Sequence, residues 1–154
     1  MTDNAGVIVR RENVNSADAQ ALMAQLSAVL QRITGDSGQS SFQASDLQQP
    51  AACFAIARDQ QGNALGCGAL RPLKQGVAEL KRMFTRYAAQ GIGSALLYFL
   101  EAEAALLGYR EIWLETRRVN QQAVGFYLRH GYQPIARYGR YITNPQALCF
   151  AKVL

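Results

Sequence analysis

Cysteine and histidine are scarce in this sequence, which restricts the kinds of site it can hold. The 154 residues include three cysteines and one histidine, and no C-x-x-C pair or histidine cluster brings potential ligands together. An odd number of isolated cysteines argues against both a disulfide framework and a zinc site. Cys53, Cys67 and Cys149 each lie in an apolar run, so we expect small buried side chains and predict no metal site.

Long apolar runs are also missing. No segment approaches the roughly 20 apolar residues that a membrane-spanning helix needs, and the first four residues lack the basic and apolar regions of a secretion signal. The charged fraction of 18% and the apolar fraction of 49% are ordinary for a globular protein. With no repeat and no linker, the sequence predicts one cytoplasmic domain over residues 1–154, without a membrane partner.

A net charge of +5 is the feature that suggests nucleic acid as a partner. The basic residues are scattered, however, apart from short pairs such as Arg10–Arg11 and Lys81–Arg82. The aromatic and basic platform that single strands require is not visible. A modest positive field attracts small phosphorylated molecules equally well, and we therefore expect no nucleic-acid partner.

Apolar periodicity and turn residues divide the chain into helices and strands. Helices are predicted over residues 17–33, 92–107 and 121–130, capped by Ser16 at the first and Asn120 at the third. Strands are predicted over residues 7–11, 53–57, 64–70, 77–85, 111–116, 133–137 and 148–153. The fourth and fifth strands are joined through a helix and should be parallel. The order predicts an α/β domain whose mixed, mostly antiparallel sheet of six to seven strands has helices on both faces.

The segment Gln90-Gly91-Ile92-Gly93-Ser94-Ala95 opens the second helix. Glycines at a helix start let the backbone approach a ligand without obstruction by Cβ atoms. The first N–H groups of a helix have no internal partner and carry the positive end of the helix dipole. Such a start suits a phosphate or pyrophosphate, but on its own it is equally compatible with tight packing of a strand against a helix.

The residues around this segment resemble the GNAT family of N-acetyltransferases, which bind acetyl-coenzyme A. The family's pyrophosphate motif, Arg/Gln-x-x-Gly-x-Gly/Ala, is matched by Gln90 to Ala95, and Glu79 to Thr85 looks like the strand that precedes it. A second family pattern is matched, at the correct separations, by Leu114, Thr116, Asn120, Ala123, Tyr127, Gly131 and Tyr132. The likeness covers roughly residues 53–154. Gln90 departs from the common arginine and Tyr87 from the common proline, so pyrophosphate binding rests more on backbone N–H groups.

The resemblance implies a single GNAT domain in which the fourth and fifth strands splay apart to admit the thioester. The backbone of Met83 and Thr85 would pair with the pantetheine arm. Strict alternation along the fourth strand predicts that its odd-numbered residues, Glu79 to Thr85, share one face. The implied acetyl-CoA contacts are Met83, Phe84, Thr85, Gln90, Gly91, Ile92, Gly93, Ser94, Ala95, Asn120, Ala123 and Tyr127.

Acetyl transfer to an amine requires removal of a proton from the ammonium, which costs about 4.6 kcal/mol at pH 7 for a lysine-like amine. Glu79 is the first candidate for the general base, although it is equally placed to form an ion pair with Lys81, Arg82 or another cation on the sheet surface. Glu115 and a chain of water molecules are the alternatives, although a structural ion pair or a hydrogen bond at the turn fits Glu115 better than the role of base. A carboxylate needs burial to raise its pKa toward the value this task requires.

Tyr127 lies on the same helix face as Asn120 and Ala123, where the small alanine leaves room for the pantetheine arm. Its phenol is suited to protonate the departing thiolate, and packing of the ring against the sheet is the alternative interpretation. His130 is expected to complement the helix dipole rather than to act in catalysis. The acceptor site is expected to include Glu115, Tyr138 and Tyr141, with Arg140 nearby, although a plain surface loop fits the last three equally well.

The sequence therefore predicts an acetyl-CoA-dependent N-acetyltransferase that acetylates a primary amine of a small molecule by direct attack in a ternary complex. No cysteine stands at a clear nucleophile position, which argues against an acetyl-enzyme intermediate. The alternatives are a protein N-terminal or lysine acetyltransferase and a non-catalytic acetyl-CoA sensor. A homodimer is plausible for the family. The sequence does not identify the acceptor.

Overall fold

A seven-stranded sheet forms the centre of the protein. The structure is a computed structural model that describes residues 6–87 and 90–154. The expectation that the chain has no secretion signal concerns its first four residues, which lie outside the described ranges. The strands are β1 (Ile8–Arg11), β2 (Cys53–Arg58), β3 (Ala64–Lys74), β4 (Val77–Thr85), β5 (Glu111–Arg117), β6 (Gln133–Ile135) and β7 (Ala147–Val153). Their spatial order is β1-β2-β3-β4-β5-β7-β6.

Only the β4–β5 pair is parallel among the described strands, and the other five pairs are antiparallel. The parallel pairing covers three positions and ends at Glu79 opposite Trp113. Beyond that point β4 continues to Thr85 and β5 to Arg117 without pairing to each other. The two strands therefore separate at their carboxyl ends, which confirms the predicted mixed sheet and its splay.

Three helices cover the sheet: α1 (Ala17–Thr34), α2 (Ile92–Leu106) and α3 (Gln121–Arg129). Both predicted caps are confirmed, because Ser16 Oγ accepts a hydrogen bond from the Ala19 N–H at 3.1 Å and Asn120 Oδ1 from the Ala123 N–H at 3.3 Å. Short 3₁₀ turns lie within the predicted loops at Gln39–Ser41, Ala44–Leu47 and Gly139–Tyr141. None of the helices in the described ranges combines the length and apolar character that crossing a membrane requires.

The apolar core lies in two layers, one on each face of the sheet. On one face α2 and α3 contribute Leu96, Leu100 and Tyr127, which pack with Leu80 of β4 and other strand residues. On the opposite face α1 contributes Leu22, which packs with strand residues that include Phe54 and Ile56. The prediction of helices on both faces is confirmed. All three cysteines are buried, as expected.

A β-bulge in β4 overturns the predicted alternation along this strand. Between two paired positions, β4 has Arg82 and Met83 where β3 has only Gly68, and Arg82 takes a φ of +56°. The extra residue reverses the side-chain alternation. Before the bulge Leu80 faces α2, whereas after it Met83 packs on that side and Phe84 packs on the α1 side. Met83 therefore does not share a face with Glu79, contrary to the expectation from strict alternation.

Candidate active site

A cavity of about 660 Å³ occupies the gap between the separated ends of β4 and β5. Its wall is built from β4, β5, the first turn of α2, α3, the carboxyl half of α1 and the two loops that carry Gln39–Ser41 and Gly139–Tyr141. Most of the residues predicted to bind cofactor or acceptor lie on this wall. They are Met83, Phe84, Thr85, Gln90, Gly91, Ile92, Gly93, Ser94, Glu115, Asn120, Ala123, Tyr127 and Tyr141.

The first turn of α2 presents backbone donors that have no intrahelical partner to this cavity. Gly91 caps the helix with a φ of +77°, a conformation that favours glycine. The Ala95 N–H donates to the Gly91 carbonyl at 3.0 Å, so the N–H groups of Ile92, Gly93 and Ser94 precede the first intrahelical bond. Ala95 itself does not line the cavity, and its amide is used within the helix. Its predicted cofactor contact is therefore not supported by the geometry.

Gly93 also lies where α2 packs closely against α3. A Cβ atom built on Gly93 would lie 3.2 Å from the Phe126 ring and 3.6 Å from Cγ2 of Thr85. The absence of a side chain therefore allows the two helices to meet and leaves the backbone open toward the cavity. Both interpretations of the glycine pair, an anion site and close packing, apply to this residue.

His130 lies on the cavity wall beside Ser94, a position that sequence reasoning missed. His130 Nδ1 is 2.7 Å from the Phe126 carbonyl oxygen, and Nε2 is 2.8 Å from Ser94 Oγ. Because a carbonyl can only accept, Nδ1 carries the proton, and in the neutral ring Nε2 accepts from the serine hydroxyl. The histidine thus orients a hydroxyl within the glycine-rich helix start.

Tyr127 presents its phenol to the same cavity from α3. Its side chain is buried, and the ring packs edge-on against Phe126 and Tyr132. Within residues 6–87 and 90–154 the hydroxyl forms no hydrogen bond, although it is a strong donor. Burial raises the pKa of Tyr127, so the phenol is protonated at neutral pH and available to a ligand.

Glu79 does not line the cavity, in contrast to the expectation for a general base. Its side chain is 2% exposed. One carboxylate oxygen accepts from Arg71 at 2.8 and 3.0 Å, and the other accepts from the Tyr138 hydroxyl at 2.6 Å. Tyr138, also expected at the acceptor site, points to this carboxylate and likewise lies off the wall. The geometry therefore favours a structural ion pair for Glu79, with Arg71 rather than Lys81 or Arg82 as the cation.

Glu115 is the carboxylate on β5 that faces the cavity. Its side chain is 8% exposed and forms an ion pair with Arg117, which also contacts Asp36 at 3.2 Å. Burial raises the pKa of Glu115, and the nearby charges of Arg117 and Lys81 only partly oppose this effect. A carboxylate with a raised pKa is a stronger base than an ordinary glutamate.

Lys81 is a second site residue that sequence reasoning missed, because it was considered only as an ion-pair partner for Glu79. Its ammonium lines the cavity and donates to Ser41 Oγ at 3.0 Å and to the Tyr141 hydroxyl at 2.9 Å. In the part of the chain that the structure describes, no carboxylate oxygen lies within 4.0 Å of it. Burial lowers the pKa of Lys81 to about 8.

Replacing Lys81 with methionine is expected to stabilise the protein at pH 7. A pKa that falls from 10.5 to about 8 makes the charged form unfavourable by roughly 3 kcal/mol relative to the unfolded chain. We therefore expect the free energy of unfolding to rise by about 1–3 kcal/mol when the apolar side chain fills the same space. Urea unfolding of both proteins at pH 7 measures this difference.

The pH dependence of that difference follows from the sign of the shift. Because the folded pKa lies below the unfolded one, the unfolded chain binds more protons between pH 8 and 10.5, and the wild-type protein gains stability from this group across that interval. The advantage of Lys81→Met should be complete below pH 8 and shrink toward pH 10.5. If Lys81→Met were less stable than the wild type at pH 7, the fold would stabilise the charged ammonium of Lys81 relative to the unfolded chain, which contradicts this account.

The three thiols lie away from the cavity wall. Burial raises the pKa of Cys53 to about 11 and that of Cys67 to about 12, and it also raises the pKa of Cys149. A thiol is nucleophilic as the thiolate. None of the three is therefore placed or ionised to attack a thioester bound in the cavity.

Comparisons with known proteins relate this arrangement to a characterised fold. A model of the Acetyltransferase (GNAT) family matches residues 20–132. A protein named IAA acetyltransferase from Azospirillum brasilense is 33% identical over 111 residues, which cover 70% of this chain and 72% of that protein. A crystal structure of a protein assigned as an acyl-CoA N-acyltransferase from Klebsiella pneumoniae superposes with a TM-score of 0.82 at 27% identity, covering 98% and 99% of the two chains.

A GNAT family acetyltransferase from Elizabethkingia anophelis, whose crystal structure contains acetyl-CoA, has the same fold. Its TM-score is 0.72 at 15% identity, and the alignment covers 97% of this chain and 99% of that one. The resemblance stated from the sequence motifs and the predicted fold are both confirmed by these matches.

Proposed function

Because the chain belongs to the Acetyltransferase (GNAT) family, we propose that it transfers the acetyl group of acetyl-CoA to a primary amine of a small molecule. The observation that carries this proposal is the cavity between the separated ends of β4 and β5. This cavity joins unpaired helix N–H groups, the phenol of Tyr127 and the carboxylate of Glu115 in one space. Those groups supply an anion site, an acid and a base, which are the parts that acetyl transfer requires.

Acetyl-CoA is expected to lie along the open edge of β4. Beyond Glu79 no described strand pairs with that edge, so its backbone groups are free to bond the amides of the pantetheine arm as an added strand would. The pyrophosphate then meets the N–H groups of Ile92, Gly93 and Ser94 at the start of α2. The presence of acetyl-CoA in the Elizabethkingia anophelis structure supports the same use of this fold.

In the proposed reaction the neutral amine attacks the thioester carbonyl carbon directly. A C–N bond forms, the C–S bond breaks, and the proton lost by the nitrogen passes to Glu115. Tyr127 donates its proton to the departing sulfur, which yields an amide and the CoA thiol. Proton exchange with solvent then returns Glu115 to the carboxylate and Tyr127 to the phenol. The desolvation that raises the pKa of Tyr127 also raises that of the developing thiol, so the transfer from oxygen to sulfur stays accessible.

Glu115→Gln is expected to lower kcat by about 100-fold or more, because the amide cannot accept the proton. In the wild-type enzyme, kcat should fall as the pH drops through the raised pKa of Glu115, at a higher pH than for an ordinary glutamate. The variant should lose this limb of the profile of kcat against pH. Glu111→Gln is the matched control, since Glu111 lies on the same strand, away from the cavity. If Glu115→Gln and Glu111→Gln gave the same profile of kcat against pH, Glu115 would not be the general base.

The proposal is tested by measuring acetyl-CoA binding and thiol release with a panel of amines. Calorimetric titration reports binding, release of free CoA thiol reports turnover, and mass spectrometry identifies the acetylated product. An enzyme binds acetyl-CoA and releases thiol only when an acceptor is present. Tight binding without turnover on any metabolite or peptide acceptor would instead indicate a sensor of acetyl-CoA.

A further inference from the structure

One end of the cavity carries positive charges that form no ion pair among the described residues. Lys81 and Arg140 both line this end, and Arg82 of the bulge lies beside them. Within the described ranges, none of the three forms an ion pair. Arg82 is buried and donates to Ser27 Oγ at 2.5 Å and to the carbonyls of Met23 and Ser37. All of its partners are neutral.

The carboxylates near this end are engaged elsewhere. Glu115 and Asp36 both form ion pairs with Arg117. Glu79 of β4 and Asp46 of the turn Ala44–Leu47 both form ion pairs with Arg71 of β3, at 2.8 and 2.6 Å. Arg117 and Arg71 are thus each matched by two carboxylates, and none of these carboxylates forms an ion pair with Lys81 or Arg140.

The ammonium of Lys81 is held in a fixed position. Two of its three protons are used by Ser41 Oγ and the Tyr141 hydroxyl, which leaves one for a ligand. Ser41 is itself fixed by its bond to the Gly38 carbonyl at 3.0 Å. Arg140 donates to the Ser40 carbonyl at 2.8 Å and to Ser40 Oγ at 3.3 Å, so it joins the two loops beside the ammonium.

From these contacts we infer that the amine acceptor carries a carboxylate group, which binds to Lys81 and Arg140 while its amine faces Glu115 and the thioester. The inference rests on the proposed function. A half-buried ammonium without a counter-ion is unfavourable in the empty protein, and a bound carboxylate would supply the missing charge and accept the remaining proton. The same cations would repel a polyamine or another purely cationic acceptor.

The inference is tested with pairs of acceptors that differ only in this group. The twenty amino acids and longer amino carboxylates are compared with their carboxamides for acetylation by the full-length protein and for thermal stabilisation of its CoA-bound form. Free acids should be acetylated with a kcat/KM about 10 to 100 times that of the amides, as expected for a hydrogen bond to a charged group. A phosphorylated amine in the same panel separates carboxylate from phosphate recognition.

Lys81→Met should remove this preference. We expect the kcat/KM for the free acid, divided by that for its carboxamide, to fall about 10 to 100-fold, with KM for acetyl-CoA little changed. Lys74→Met is the matched control, because it removes the same charge from an exposed position over the Trp113 ring, away from the cavity. The wild-type preference should persist in that variant.

Three results would overturn the inference: no free acid being acetylated or bound better than its amide, a preference for phosphorylated amines, or an equal loss on acids and amides in Lys81→Met. Failure of the proposed function has a different signature. In that case acetyl-CoA would not bind, or it would bind and never be consumed with any amine in the panel, neutral ones included.

Discussion

Tyr127→Phe is expected to lower kcat by about 10²–10⁴-fold, the usual contribution of a positioned general acid. The ring would keep its edge-on packing against Phe126 and Tyr132, so folding should be unaffected. The hydroxyl has no protein partner within residues 6–87 and 90–154, and its loss leaves no buried group unpaired. The departing thiolate would then have to take its proton from water.

Kinetics and binding together separate this role from packing. Calorimetry should give nearly the same Kd for acetyl-CoA in both proteins, while thiol release under saturating acceptor reports the fall in kcat. Tyr98→Phe is the matched control, because Tyr98 is exposed on α2 and lies off the cavity wall. If Tyr127→Phe kept the wild-type kcat, the role of Tyr127 would be packing in the core and not proton donation.

Gly93→Val is expected to weaken CoA binding by at least about 100-fold, since two or more backbone bonds to a charged group would be lost. A Cβ at this position meets the Phe126 ring at 3.2 Å, and the branched side chain would also cover the N–H groups that face the cavity. The change therefore affects both the approach of α2 to α3 and the anion site itself. Direct titration with CoA measures the effect.

A folding defect must be distinguished from a loss of binding. Gly125→Val is the matched control: it places the same residue in α3, where the nearest atom is the tip of the Arg129 side chain at 3.0 Å. Gly93→Ala adds only one methyl group against the movable edge of the Phe126 ring and should give an intermediate Kd. If folded Gly93→Val binds CoA as the wild type does, the first turn of α2 is not the pyrophosphate site.

The parts of the fold that depend on local pattern were predictable from the sequence. Ser16 and Asn120 cap their helices as expected, and the helix between β4 and β5 enforces their parallel pairing. The bulge at Arg82 was not predictable, because nothing in the residues 77–85 marks an extra residue relative to β3. A single insertion of this kind reverses the face of every side chain after it.

The site was predicted where it consists of contiguous motif residues and missed where it depends on long-range contacts. Glu79 is paired with Arg71 on the neighbouring strand, a choice of partner that depends on the register of β3 against β4. The ammonium of Lys81 is held at the cavity by hydrogen bonds to Ser41 and Tyr141, which lie 40 and 60 residues away in sequence. Three charged residues, Glu79, Lys81 and Arg82, within one central strand are the sequence signal that could have identified it.

Transfer of a labelled acetyl group gives the most direct test of the central claim, that the acetyl group passes straight from CoA to an amine held in this cavity. Labelled acetyl-CoA is mixed with the protein, first alone and then with an acceptor, and the label is followed on protein and product after acid quenching. The account predicts no label on the protein in either case, and acetylated amine formed in step with free CoA thiol. Label trapped covalently on the protein and then released to the amine would contradict it.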